Sequence, residues 1–193
     1  MTAIDIWLFR AINGIYTSPV LDAVMVYVTQ KSNFLGVIVV AAVLILIFGK
    51  RHDRVGLLLL VLVVATSDSA CNLFKHLFMR VRPCSALEGV RLLVGCGGSY
   101  SMPSGHATNI SAAMVFLALR YRKAAPVFLV FAVTVAYSRV YVGVHYPSDI
   151  VVGAFLGAGI AFFYSWAEKK VPEAYRARMN RGVAHDDGPA SGA

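Results

Sequence analysis

The chain has 193 residues, 58% hydrophobic and only 15% charged, with a mean hydropathy of +0.67. That mix excludes an ordinary water-soluble domain, because the apolar excess must face something other than water. The formal net charge is +8. Its cations form no single patch interleaved with aromatics, so no nucleic acid is expected as a partner and anionic lipid headgroups are expected instead.

Residues 1–7 lack a basic leader and no long apolar stretch follows them, so no signal peptide is expected. Two short amphipathic helices are predicted over residues 4–15 and 20–29, interrupted at Thr17, Ser18 and Pro19. They should lie in the membrane interface or form a shallow re-entrant pair. Residues 34–48 then carry no polar side chain, and residues 55–66 repeat the pattern. At about 1.5 Å of rise per residue, a bilayer core needs roughly 20 residues, so each run with its flanks can span. Five spans are predicted: residues 33–49, 55–78, 104–119, 125–142 and 149–166. The expected fold is an all-α, polytopic membrane helical bundle with N-terminal helices at 1–32 and a membrane domain at 33–170. A polar, aperiodic cytoplasmic tail, disordered towards its end, is expected at 171–193.

Orientation follows from the positions of Lys and Arg, since short cytoplasmic loops retain positive charge. Lys50, Arg51, Arg54, Arg120, Arg122, Lys123, Lys169, Lys170, Arg176, Arg178 and Arg181 make up eleven of the 18 and fall in alternate loops, which marks the cytoplasmic side. Lys75, Arg80, Arg82, Arg91 and Arg139 fall on the other side, against the bias. A function that needs positive charge is the expected reason.

Three segments meet at that outer end. Lys75 and Arg82 are two helical turns apart and share a face if the helix persists to the residue before Pro83. With Arg139 they offer one compact charge and two planar forks, a set suited to phosphate oxygens. Arg80 and Arg91 read equally well as interfacial side chains that snorkel to headgroups. Pro103, Ser104, Gly105 and His106 open an apolar helix, whose free N–H groups bind an anion; Ser104 can cap it or donate, and Gly105 lets backbone approach. His145 and Asp149 stand four residues apart around Pro147, so the carboxylate can fix one imidazole nitrogen and leave the other free for attack. Two histidines and a carboxylate also suit a metal, but three nearby cations would repel it and already supply its charge. No metal and no cofactor is expected.

The ordered pattern K-x6-RP, PSGH and SR-x5-H-x3-D resembles the type 2 phosphatidic acid phosphatase (PAP2) superfamily, which includes soluble acid phosphatases and vanadium haloperoxidases. Lys75, Arg82 and Pro83 fill the first motif, Pro103 to His106 the second, and Ser138, Arg139, His145 and Asp149 the third, without departure. The resemblance implies a chloroperoxidase-like core and a lipid phosphatase that works without metal. It implies His145 as nucleophile, Asp149 as its orienting partner and His106 as general acid. Lys75, Arg82, Arg139, Ser104 and the Gly105 amide would hold the phosphoryl oxygens. The partner is then a membrane lipid phosphate; the oligomeric state stays open.

The N-terminal region also resembles small bacterial undecaprenyl diphosphate phosphatases. This implies a bacterial inner membrane with the site facing the periplasm or exterior, and leaves phosphatidylglycerol phosphate, phosphatidate and lipid A phosphates as alternatives. A transporter of lipid phosphates would use the cations but not both histidines.

Three further features are weaker. Cys84 and Cys96 can pair in an oxidising exterior, though sequence alone leaves this open. Asp68 is an ionisable group within the second span, functional or simply hydrogen-bonded to neighbouring helices. Gly153 and Gly157 predict close helix packing, and the glycine-rich run at residues 95–99 reads as a flexible turn rather than a phosphate loop.

Overall fold

A computed structural model describes residues 2–170; the tail predicted at 171–193 lies outside the described residues. Among the described residues there is no strand. Helix α1 (Ala3–Arg10) runs into a π-helical turn (Ala11–Ile15). Ser18 then caps α2 (Pro19–Thr29) by accepting from the Leu21 amide, and Pro19 opens its first turn. The two axes are bent by 116°, as the Thr17-Ser18-Pro19 break predicts.

Five helices follow at the expected places: α3 (Ser32–Phe48), α4 (Arg51–Phe78), α6 (Gly105–Arg120), α7 (Ala125–Tyr141) and α8 (Pro147–Lys170), with a one-turn α5 (Pro83–Ala86) between α4 and α6. Helices α4, α7 and α8 lie in segments long and apolar enough to cross a membrane, whereas α3 and α6, of 17 and 16 residues, are shorter. Helix α6 is enclosed by α4, α7 and α8. Its packing with α8 depends on the predicted glycines: a Cβ at Gly153 would stand 2.8 Å from the Ser104 carbonyl oxygen, and one at Gly157 would collide with the Thr108 carbonyl. Val63, Ala112, Phe116 and Ala161 fill the seam between α4, α6 and α8. Leu58, Val133 and Phe155 point outward, 64%, 68% and 75% exposed, which is the surface a lipid-facing helix presents.

The structure departs from the sequence reading in three places that position the site. Helix α4 stops at Phe78, where Met79 takes a left-handed conformation (φ 45°), so Arg82 arrives on extended backbone and not on the helical face of Lys75. The polar residues of the N-terminal pair turn inward: Asp5, Asn13 and Thr29 are all buried. Arg91 does not snorkel, since it is ion-paired with Asp22, which also accepts from the Tyr141 hydroxyl at 2.6 Å. Asn13 ties the same corner together by donating to the Arg91 and Tyr141 carbonyls at 2.8 and 2.7 Å.

Asp68 accepts hydrogen bonds from Asn72 and Asn109, which is the structural alternative for that residue. Cys84 and Cys96 form a disulfide with Cα atoms 6.1 Å apart, while Cys71 is a buried free thiol. Denatured, unreduced protein should therefore titrate one thiol and reduced protein three. A count of three before reduction would rule the bridge out.

Candidate active site

The first motif is built by the end of α4 and the loop after it. Lys75, buried on the last turn of α4, donates to the Ser99 hydroxyl at 3.1 Å and the Tyr100 carbonyl at 2.7 Å. Arg82 is buried as well and donates from Nε to the Ser99 carbonyl at 2.8 Å and from Nη2 to the Ser99 hydroxyl at 3.1 Å. The glycine-rich run is thus more than a turn. Gly97 has φ +78°, and a Cβ there would rest 3.6 Å from the Arg82 guanidinium carbon, so the loop crosses directly over the cation.

Ser104 caps α6, accepting from the Ala107 amide, and its own amide donates to the Asp149 carbonyl at 3.1 Å. That spends the serine on the helix start and leaves Gly105 and His106 in its first turn. His106 is half-exposed, hydrogen-bonds to the Thr29 backbone and lies within the field of the Arg139 charge. Arg139, buried near the end of α7, donates to the Thr29 hydroxyl at 2.5 Å, while its buried Nε has no partner among the described residues.

Gly143 turns the chain out of α7. Its φ is +88°, and a Cβ would stand 2.7 Å from the Arg91 carbonyl oxygen, so only glycine fits. The turn brings the Val144 and His145 amides onto the Arg139 carbonyl and aims the His145 ring inward. Asp149 sits in the first turn of α8, fully buried.

The imidazole contacts define its tautomer. Arg82 Nη1 is 3.2 Å from His145 Nε2, and a guanidinium can only donate, so Nε2 must be the unprotonated nitrogen. Nδ1 then carries the proton, directed to Asp149 Oδ2 and Ser101 Oγ, each at 3.4 Å. Ser101 in turn donates to Asp149 Oδ2 at 2.5 Å. Burial, reinforced by the Arg82 charge against the opposing pull of Asp149, lowers the His145 pKa to about 4. The neutral, nucleophilic form therefore prevails throughout the physiological range. Between about pH 4 and 6.5 the unfolded chain binds a proton that the folded one lacks, so this group's contribution to stability falls as pH is lowered through that window. In 15N-histidine-labelled protein free of phosphate, the His145 resonances should stay unprotonated at pH 6 and titrate nearer 4. A midpoint of 6.5 would overturn this.

Among the described residues, Lys75, Arg82 and Arg139 make no ion pair with a carboxylate. Three buried cations bonded to neutral groups and to no carboxylate amount to a site suited to an anion. All eight residues predicted from sequence fall at this end of the bundle. Sequence reasoning missed Thr29, Ser99 and Ser101, and it left Arg80 open between a site role and snorkelling. That arginine does not snorkel: it donates to Asp149 Oδ1 at 2.6 Å, is ion-paired with Asp5, and lies 4.1 Å over the Tyr146 ring. The hydroxyl-rich stretch at 99–104 was the available signal.

The chain is similar to known proteins over most of its length. A family profile described as the PAP2 superfamily matches residues 56–172. The chain is 34% identical over 181 residues to a lipid A 4'-phosphatase of Bacteroides thetaiotaomicron, covering 88% of this chain and 79% of that one. It is 34% identical over 169 residues to an undecaprenyl-diphosphatase of Sulfolobus acidocaldarius, covering 87% and 80%. Its fold is similar to the crystal structure of a transmembrane PAP2 type phosphatidylglycerolphosphate phosphatase from Bacillus subtilis, with a TM-score of 0.72 at 25% identity over 88% of this chain and 87% of that one.

Proposed function

This chain belongs to the PAP2 superfamily and is a membrane lipid phosphatase, and from that premise we propose that it cleaves its substrate through a phosphohistidine on His145, at the extracytoplasmic face of a bacterial inner membrane. The observation that carries the mechanism is the His145 ring, whose Nε2 lone pair faces the buried cations while Nδ1–H faces Asp149.

Phosphoryl transfer needs in-line geometry and stabilised equatorial oxygens more than covalent work by the protein. A phosphate entering among Lys75, Arg82 and Arg139 displaces the Arg82 contact from Nε2. Nε2 then attacks phosphorus, and the bond to the leaving oxygen breaks as His106 gives that oxygen a proton. Water next attacks the phosphohistidine and gives its proton to His106; the P–N bond breaks and restores the Nε2 lone pair. The products are inorganic phosphate and a lipid alcohol, or a lipid monophosphate if the substrate was a diphosphate. The Gly105 amide, at the open start of α6, adds a donor for the oxygens.

Undecaprenyl diphosphate is the first substrate reading, supported by the Sulfolobus relative's name and the matching N-terminal region. The Bacteroides relative, of equal identity, supports lipid A phosphate as the second. The extracytoplasmic orientation rests on the eleven cations of the opposite loops. That end holds Arg120 clasped to Glu168 and Asp53 to Tyr121, remote from the catalytic groups.

The test is phosphate release in detergent, with chelator, from undecaprenyl diphosphate, phosphatidylglycerol phosphate, phosphatidate and lipid A. Release from at least one, unaffected by chelation, is expected. Tight binding of a lipid phosphate with no release from any would favour a transporter. His106→Ala should slow release from an alkyl phosphate at least about tenfold more than from nitrophenyl phosphate, whose leaving group needs no proton. Equal losses on the two would remove His106 from the role of acid.

A further inference from the structure

Asp149 is fully buried, and a carboxylate out of water must have its lone pairs filled by donors. On Oδ2 it accepts from Ser101 and, at 2.9 Å, from the Tyr146 amide, with His145 Nδ1 on the same oxygen. On Oδ1 the donor is Arg80 Nη1, at 2.6 Å. Among the described residues, Arg80 hydrogen-bonds to Asp5, Ser148 and Asp149 and not to His145, so it reaches the chemistry through this carboxylate.

The other arm of the guanidinium is taken by Asp5. That residue, 5% exposed on α1, pairs with Arg80 Nη2 and also accepts from the Ser148 amide at 3.0 Å and the Ser148 hydroxyl at 2.6 Å. Ser148 in turn lies 2.6 Å from Arg80 Nη1. Phe9, one turn after Asp5, packs on Tyr146 with ring centroids 5.6 Å apart, and Arg80 lies over that same ring. One planar cation is thus held between two buried carboxylates, with a separate nitrogen for each, an arrangement that lysine cannot reproduce.

We propose that Arg80 and Asp5 are a positioning pair for the catalytic carboxylate: Asp5 fixes the Arg80 fork, and the fork fixes Asp149 so that Oδ2 stays on His145 Nδ1–H. The inference rests on the phosphohistidine reading above. It makes α1, which lies wholly outside the family-matched segment of residues 56–172, a working part of the active site. Without Arg80, Oδ1 is left bare, and the carboxylate either takes a proton or rotates towards another donor. Both outcomes loosen the tautomer that the nucleophile needs.

Outer-shell partners of this kind change activity by about 10- to 100-fold. In purified full-length protein, Arg80→Ala should lower kcat by about 100-fold and Asp5→Ala by about tenfold. KM and the inhibition constant of vanadate should stay within about threefold, because the cations that hold the phosphoryl group are untouched. Asp5→Ala made in the Arg80→Ala background should cost nothing further. Arg80→Lys, which keeps the charge but cannot bridge, should fall between wild type and Arg80→Ala.

The 15N spectrum of His145 reads the pair without turnover: one tautomer in the wild type, a mixture in Arg80→Lys and Asp5→Asn. These two milder variants also serve if Arg80→Ala does not fold. Losses that appear in KM and in vanadate affinity, single losses that multiply in the double variant, or an unchanged His145 tautomer would each overturn the positioning role. A wild-type protein that releases phosphate from no lipid overturns the phosphatase reading instead, and the spectrum then decides the positioning pair separately.

Discussion

Replacing His145 by alanine is expected to abolish phosphate release, by at least about a thousandfold, because the residual oxyanion-type stabilisation cannot replace a missing nucleophile. The variant should still fold and insert. The ring is buried among Arg82, Ser101 and Asp149, but the helices on either side, α7 and α8, are held by their own contacts with α6. Two measurements check the assignment. Wild-type protein quenched during turnover with radiolabelled lipid should carry an acid-labile, alkali-stable label that His145→Ala lacks. Vanadate should still bind the variant, since Lys75, Arg82 and Arg139 remain. Retention of more than a few per cent of wild-type release would remove His145 from the mechanism.

Asp149→Asn should be nearly as damaging, on the order of 1,000- to 10,000-fold in kcat, the scale seen when a buried orienting carboxylate becomes an amide. The reason lies in the chemistry of its neighbours. Arg80, Ser101, the Tyr146 amide and His145 Nδ1 all donate to this side chain, so an amide NH2 must point at a donor whichever way it is turned. If it faces His145, it drives the proton to Nε2 and removes the attacking lone pair. If it faces Arg80, it unseats the guanidinium. A near-isosteric change therefore costs more than its volume suggests. A kcat within tenfold of wild type would show that the carboxylate does not set the tautomer.

The two predictions draw on different layers of the molecule, which also mark how far the sequence could be read. His145 and Asp149 were legible as candidates because their spacing around Pro147 and the motifs at Lys75 and Ser104 are local patterns. Ser104 caps its helix and Pro147 opens another where the sequence predicts. Arg80 stayed open in the sequence because a cation at the end of an apolar span looks the same whether it meets a headgroup or a carboxylate. Its partners, Asp5 and Asp149, are 75 and 69 residues away. Asp5, Asn13 and Thr29 were hidden similarly: helical periodicity sorts polar from apolar faces, but it does not tell water from a buried partner. The persistence of α4 to Pro83 was a reasonable extrapolation of that periodicity, defeated by one left-handed residue, Met79.

By itself, then, the sequence determined that this chain is a helical membrane protein, where its main helices run, and which residues are candidates for phosphatase chemistry, since hydrophobic run length, helix-start signals and motif spacing act over a few turns of chain. Only the tertiary structure decided that Arg82 bonds His145 Nε2, that Ser99 and the residues 95–99 loop close over the cations, and that α1 and α2 bring Asp5 to Arg80 and Thr29 to Arg139. Those contacts join residues up to 110 positions apart. They exist because buried charges out of reach of water must find donors and acceptors wherever the packing of the helices puts them.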